Sequence, residues 1–391
     1  MIVKRIRLHN WKNFQNCNIS LTERSFVIGA NASGKSNFID ALRFLRDISK
    51  QAGGLQYAVE ERGGITKIRC LAARTSTDVR IAVELGEVGS KDPTWIYELG
   101  FSHTGGGIMK NQVRINEERV YSGEQGKYIM ERTALSEGED EETLKYTFLE
   151  QVSQNREFRA IQAFFQNIEY LNIVPQLVRE SSTFIQTKSR EDYYGRNFLE
   201  RLANKPERVR NSYFKKINQF LKIAVPQLNE LSFKKDEMGV PHLEARYEHW
   251  RAKGSKQQEE QFSDGTIRLI GFLFCLIDCN GLVLLEEPEI NLHSGIIANL
   301  PEFIAGIQRT KKQAQQVIIT THSYEMLDSP GIGTDEVLIL QGSKEGTTIK
   351  KVSEIAEIKA VVDAGLSMAD AVIPHTKPNN INNITQLSLD I

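Results

Sequence analysis

Residues 29–36, GANASGKS, fit the pattern G-x-x-x-x-G-K-[ST] at every fixed position, and no other segment constrains the fold as much. Ser25–Ile28 reads as a buried strand entering this segment, and from Lys35 to Asp47 the spacing puts Phe38, Leu42 and Leu45 on one helical face. A strand that runs into a glycine loop and leaves through a helix suits phosphate binding. Gly29 and Gly34 permit backbone angles that a side chain would forbid. Backbone N–H groups from Asn31 through Ala32, Ser33 and Gly34 to Lys35 can then converge on an anion, and the helix start adds partial positive charge. Lys35 is expected to reach the β- and γ-phosphates of ATP and the Ser36 hydroxyl to ligate Mg²⁺, with Asn37 in the same binding set. The competing reading is a chance match in a glycine-containing turn.

Residues 281–289, GLVLLEEPE, read as a buried strand that ends in carboxylates. Ligands bind at the C-terminal edge of such strands in open α/β sheets. Glu286 is placed to hold Mg²⁺, directly or through water, and Glu287 to polarise an attacking water. Two carboxylates serve because the tasks differ. Alternatively, these acids make a favourable negative helix cap.

The rest of the chain sets bounds. Among 391 residues, 49 Lys+Arg stand against 50 Asp+Glu, which excludes a wholly basic nucleic-acid coat and an acidic disordered chain. The N-terminus has no signal-peptide core, and the longest apolar run, Leu269–Ile277, is about half the ~20 residues of a membrane span. Cys17, Cys70, Cys275 and Cys279 lack metal spacing, and buried thiols in a reducing cytoplasm are expected. Residues 2–8 and 18–21 read as strands, 63–121 as antiparallel strands, and 155–169 and 192–222 as helices. Strand-like alternation returns at 229–249. The order from there is helix 264–278, strand 281–285, helix 294–309, then strands 316–320 and 336–341, which predicts a parallel α/β core. EGEDEE at 137–142 reads as a solvated loop, and the tail from Ala364 as polar and partly disordered. From Lys188 to Lys222, ten Lys/Arg face four acids; this is a candidate DNA surface or simply a solvated helix face.

In chain order, GANASGKS, FSDGT (262–266), LVLLEEPE (282–289) and ITTHS (319–323) resemble the ABC-type ATPase heads of the SMC/RecF/OLD superfamily. IRLHNWKNFQNCNISL (6–21) resembles their opening strand and turn. The resemblance is close over 1–50 and 258–345. It implies an α/β head with a mixed and parallel sheet core, an antiparallel β subdomain and a helical insertion. The expected organisation is an N-terminal ATPase lobe (1–150), a mainly helical insertion returning to strands (151–257), a C-terminal lobe (258–363) and a tail (364–391).

By the same resemblance, a second protomer supplies Ser263 and Gly265 to the nucleotide, and His322 is the switch histidine at the γ-phosphate. A helix cap for Ser263 or Asp264, and a structural role for His322, remain open. Asn291–His293 occupies the dimer-loop position, and Gln176 is a guess at the Q-loop glutamine. The sequence departs from the family in Asp264 for the usual Gly, Thr266 for Gln or Glu, and Glu286 for Asp. The EEPE form looks more like OLD-type and related phage-defence AAA-family ATPases. The stretch after Gln341 is too short for the Toprim nuclease of OLD-type proteins, and 37–261 holds no long coiled coil.

The functional expectation is an ATP-hydrolysing head that pairs, as a homodimer or higher oligomer, around ATP. It would switch a separately encoded effector in anti-phage defence, with no membrane association. The alternatives are a RecF-like DNA-binding repair ATPase, an ATP-regulated nuclease, and a small-molecule P-loop kinase.

Overall fold

The structure is a computed structural model that describes residues 1–50, 52–74, 77–103, 112–134, 140–180, 194–195, 197–250 and 254–377. Its strands are β1 (Ile2–Trp11), β2 (Phe14–Ser20), β3 (Arg24–Gly29), β4 (Val79–Gly86), β5 (Trp95–His103), β6 (Val113–Ser122), β7 (Lys127–Thr133), β8 (Glu169–Leu171), β9 (Leu228–Lys235), β10 (Pro241–Tyr247), β11 (Ser255–Gln258), β12 (Leu282–Glu286), β13 (Gln316–Thr321), β14 (Val337–Ser343) and β15 (Gly346–Lys351). One sheet is antiparallel throughout, in the order β2-β1-β4-β5-β6-β7. The second has the order β15-β14-β3-β13-β12-β8, parallel from β14 to β8, with β15 antiparallel at the edge. A small antiparallel sheet, β11-β10-β9, carries the return to strands expected at 229–249.

β3 and β13 are buried at every position, as strands covered on both faces must be. Their side chains still alternate. On β13, Ile318 joins the core that contains the helix Lys35–Ser49 and the antiparallel sheet. Val317 and Ile319 join the opposite core, with the helices Asp264–Asp278 and Ser294–Thr310. The helix Lys35–Ser49 buries Phe38, Leu42 and Leu45 between the two large sheets, on the face the spacing predicts. Gln316, at the start of β13, joins those sheets by side-chain hydrogen bonds. Its Oε1 accepts from Val3 N at 2.9 Å, and its Nε2 donates to the carbonyls of Val3 at 2.8 Å and Thr22 at 2.9 Å.

Several expectations are corrected. The antiparallel strands start at Val79 rather than 63, because the helices Leu55–Glu60 and Ile65–Ile68 come first. Glu169 lies on the short strand β8, not in a helix. Helical residues within 192–222 divide into Phe198–Ala203 and Glu207–Ala224, since Pro206 cannot continue the first helix. The tail is not simply polar: helix Met368–Val372 buries Met368, Ala369, Ala371 and Val372, and residues 378–391 lie outside the described ones. Residues 137–139 of the acidic run are outside them too. All four cysteines are buried free thiols. Among the described residues no helix is long and apolar enough to cross a membrane.

Candidate nucleotide site

The glycine loop joins β3 to the helix Lys35–Ser49 at the C-terminal edge of the parallel sheet. Gly34 takes the N-cap position with φ 103°, and among the described residues no side chain accepts from the first N–H groups of that helix. Ala32 is also left-handed, φ 61°. A Cβ at Gly29 would lie 2.5 Å from Ser33 Oγ and 2.7 Å from Leu340 O, and one at Gly34 would lie 1.9 Å from Asn13 Nδ2. The approach at Gly34 comes from a clasp that sequence reasoning missed. Asn13 Nδ2 donates to Ser33 O (2.9 Å) and Thr347 Oγ1 (2.6 Å), and Thr347 Oγ1 donates to Ser33 O at 2.8 Å. Asn37 Nδ2 donates to Asn13 Oδ1 at 2.8 Å, so Asn37 braces the loop from its first helical turn. Lys35 Nζ folds back to the carbonyls of Gly29 (3.0 Å) and Ala30 (3.2 Å). Burial lowers its pKa, opposed by the nearby charges of Glu287, Glu286 and Glu289.

The acidic strand end meets this loop. Glu286 closes β12, where its Oε1 accepts from Ser36 Oγ and its Oε2 from the Tyr170 hydroxyl. Glu287 follows in a left-handed conformation, φ 42°, with its N–H donating to Thr320 O at 3.0 Å. Such a backbone on a non-glycine residue costs energy and persists where the surroundings hold it. Its Oε1 lies 2.8 Å from His322 Nε2. Burial and then the Lys35 charge lower the His322 pKa, against the opposing pull of Glu287. With a proton on Nε2 the ring donates to the carboxylate. Glu289 supports this pair from beneath: its Oε1 accepts from Thr321 Oγ1 (2.6 Å) and from the His322 backbone N–H (3.1 Å). Glu286 and Glu287 cap no helix. The next helix starts at Ser294, where His293 Nδ1 is the cap, accepting from Gly295 N at 3.1 Å.

Ser263 caps the helix Asp264–Asp278, its Oγ accepting from Thr266 N at 3.2 Å. Asp264 instead pairs with Arg179 at 2.6 Å. Gly265 packs on the segment 291–293, where a Cβ would lie 2.2 Å from Asn291 O. Gln176 is exposed on the short helix Pro175–Arg179. In the basic stretch, Lys188, Arg190 and Arg196 lie outside the described residues. Arg201 pairs with Glu169 (3.2 Å) and Asp278 (3.8 Å), Lys205 also pairs with Asp278, and Arg210 donates to the carbonyl of Lys205 at 3.3 Å. Arg208, Lys215, Lys216 and Lys222 are exposed.

The profile of one protein family, described as "AAA domain, putative AbiEii toxin, Type IV TA system", matches residues 24–328. No curated protein matches the sequence. Among solved structures, an SmcHead bound to the C-winged helix domain of ScpA is similar with a TM-score of 0.53 at 13% identity, over 90% of this chain and 97% of that one. An Smc head domain with a coiled coil and joint from Pyrococcus yayanosii aligns with a TM-score of 0.49 at 11% identity, over 93% of this chain and 100% of that one. With most of its length inside the family match, the chain belongs to this AAA-domain family, and its fold resembles that of the SmcHead.

Proposed function

We propose that the chain binds ATP with Mg²⁺, pairs with a second copy around it, and hydrolyses it, so that pairing is the state a separately encoded effector reads. The observation that carries this reading is the meeting of Lys35 and Ser36 with Glu286, Glu287 and His322, from opposite ends of the chain, at one sheet edge. The uncapped helix start leaves its leading N–H groups for an anion. A hydroxyl and a carboxylate, Ser36 and Glu286, form the hard-oxygen donor pair that suits Mg²⁺ held jointly with phosphates. When bound, Mg²⁺ supplies neutralisation of charge on the β- and γ-phosphates.

Lys35 exchanges its loop carbonyls for phosphate oxygens. Backbone N–H groups from Asn31, Ala32, Ser33 and Gly34 onward surround the anion. Glu287 orients the attacking water and accepts its proton. His322 can turn its Nε2–H from Glu287 to the γ-phosphate, reporting whether that phosphate is present. Ser263 and Gly265 of a second copy close the site from the other side. The matched family's description names a putative toxin of a toxin–antitoxin system.

Sizing of a Glu287→Gln variant with and without ATP tests the proposal, with Lys35→Ala as the control. ATP-dependent dimers in the first and none in the second are expected. A Glu287→Gln variant that stays monomeric with saturating ATP would remove the pairing step.

The second reading, duplex DNA, keeps one specific observation. Arg208, Lys215 and Lys222 recur at seven-residue spacing on the exposed side of the helix Glu207–Ala224. Reversing these three charges should flatten the salt dependence of any duplex binding. Unchanged affinity at two salt concentrations would end this reading.

A further inference from the structure

Tyr170 touches the proposed metal carboxylate and has no part in the roles assigned above. It lies on β8, paired with β12 in the register Leu284↔Tyr170, so its ring stands beside the strand that ends in Glu286. The side chain is 5% exposed, and its hydroxyl donates to Glu286 Oε2 while Ser36 donates to Oε1. The ring is pinned as well. The Arg43 guanidinium lies over its face, 4.1 Å from the centroid, and Asn172 hydrogen-bonds the phenol.

A carboxylate whose one oxygen is held by a fixed donor has the other to offer. Mg²⁺ binds with near-ideal octahedral geometry and few protein oxygens, whereas Ca²⁺ takes six to eight oxygens and gains from bidentate carboxylates. We infer that Tyr170 is a positioning residue that makes Glu286 a one-oxygen ligand and thereby sets the preference of the nucleotide site for Mg²⁺ over Ca²⁺. This rests on the nucleotide reading above.

The test is binding of a fluorescent, non-hydrolysable ATP analogue to the full chain, titrated separately with MgCl₂ and CaCl₂. Wild type should reach half-saturation at lower Mg²⁺ than Ca²⁺, and Lys35→Ala should bind in neither. Tyr170→Phe keeps the ring and loses the donor. Its half-saturating Mg²⁺ should rise about tenfold, the lower end for loss of a group that orients a metal ligand, and Ca²⁺ should improve or hold, narrowing the preference. Equal shifts for both ions, or none, would overturn the inference while leaving the nucleotide reading intact. Absence of cation-dependent binding in wild type would take both down. Should Tyr170→Phe fail to fold, Arg43→Met, which frees the ring and keeps the hydroxyl, must narrow the preference in the same direction, and an unchanged ratio there would overturn it equally.

Discussion

The helix that begins at Lys35 has Gly34 before it and, among the described residues, no side chain accepting from its leading N–H groups, whereas the helix that begins at Asp264 has Ser263 there, its Oγ 3.2 Å from Thr266 N. Both lie beside a glycine that another backbone or side chain approaches closely, Gly34 against Asn13 and Gly265 against Asn291. The first start therefore has donors to give as soon as a phosphate arrives. The second is satisfied within its own chain, and its serine must share or trade that bond to serve a nucleotide on another copy. Under the proposed function, the loop at Lys35 is the primary anion site and Ser263 the later partner.

Predictions can break or sharpen this contrast. Glu287→Gln should lower ATP turnover by about 10²–10⁴-fold while nucleotide binding survives, measured by phosphate release and by titration with labelled nucleotide. Normal turnover would remove Glu287 from the water-polarising role. Lys35→Ala should cost about 10²–10³-fold in turnover and lose binding as well, because the cation that faces the phosphates is gone. Retained tight binding would show that the uncapped helix start alone suffices.

Ser263→Ala separates the two helix starts most directly. Loss of the cap should cost about 1 kcal/mol of stability in a denaturant titration. If Ser263 also seals a partner's nucleotide, turnover should fall further than Tm does, with binding to the monomer unchanged. A fall in stability alone would leave it a cap.

The smallest effect concerns pH. His322 should titrate below about 6.5, its ordinary value, because burial and Lys35 disfavour its charged form. The unfolded chain then binds that proton more readily. Stability through this residue is lost as pH falls from about 6.5 towards the folded pKa, and is constant above that range. Partial exposure keeps the slope shallow. Thermal unfolding of wild type and His322→Gln between pH 5 and pH 7 should differ in slope, and identical slopes would refute the assignment.

Much of the parallel sheet was legible because a strand buried on both faces leaves a run such as Leu282–Leu285, and because helix Asp264–Asp278 announces itself with a Ser cap and an apolar stretch. Ser36, Glu286, Glu287 and His322 were readable because each sits at an element's end, where short motifs are specific. Asn13, Thr347 and Tyr170 were not. Asn13 and Thr347 lie 334 residues apart, Tyr170 and Glu286 116 apart, and nothing local marks an asparagine or tyrosine for so distant a partner. β8 has three residues, too few for a period to show. The helix Met368–Val372 was missed because five residues are too few for a helical period to show.

Gln316 spends a buried amide on holding two sheets together, with Val3 and Thr22 on one side and the strand leading to Thr320 and Thr321 on the other. A seam of that kind leaves little freedom for the sheets to rock against each other. Under the proposed cycle, motion produced by nucleotide turnover would displace both sheets together, and levers attached anywhere on the surface would feel the same stroke.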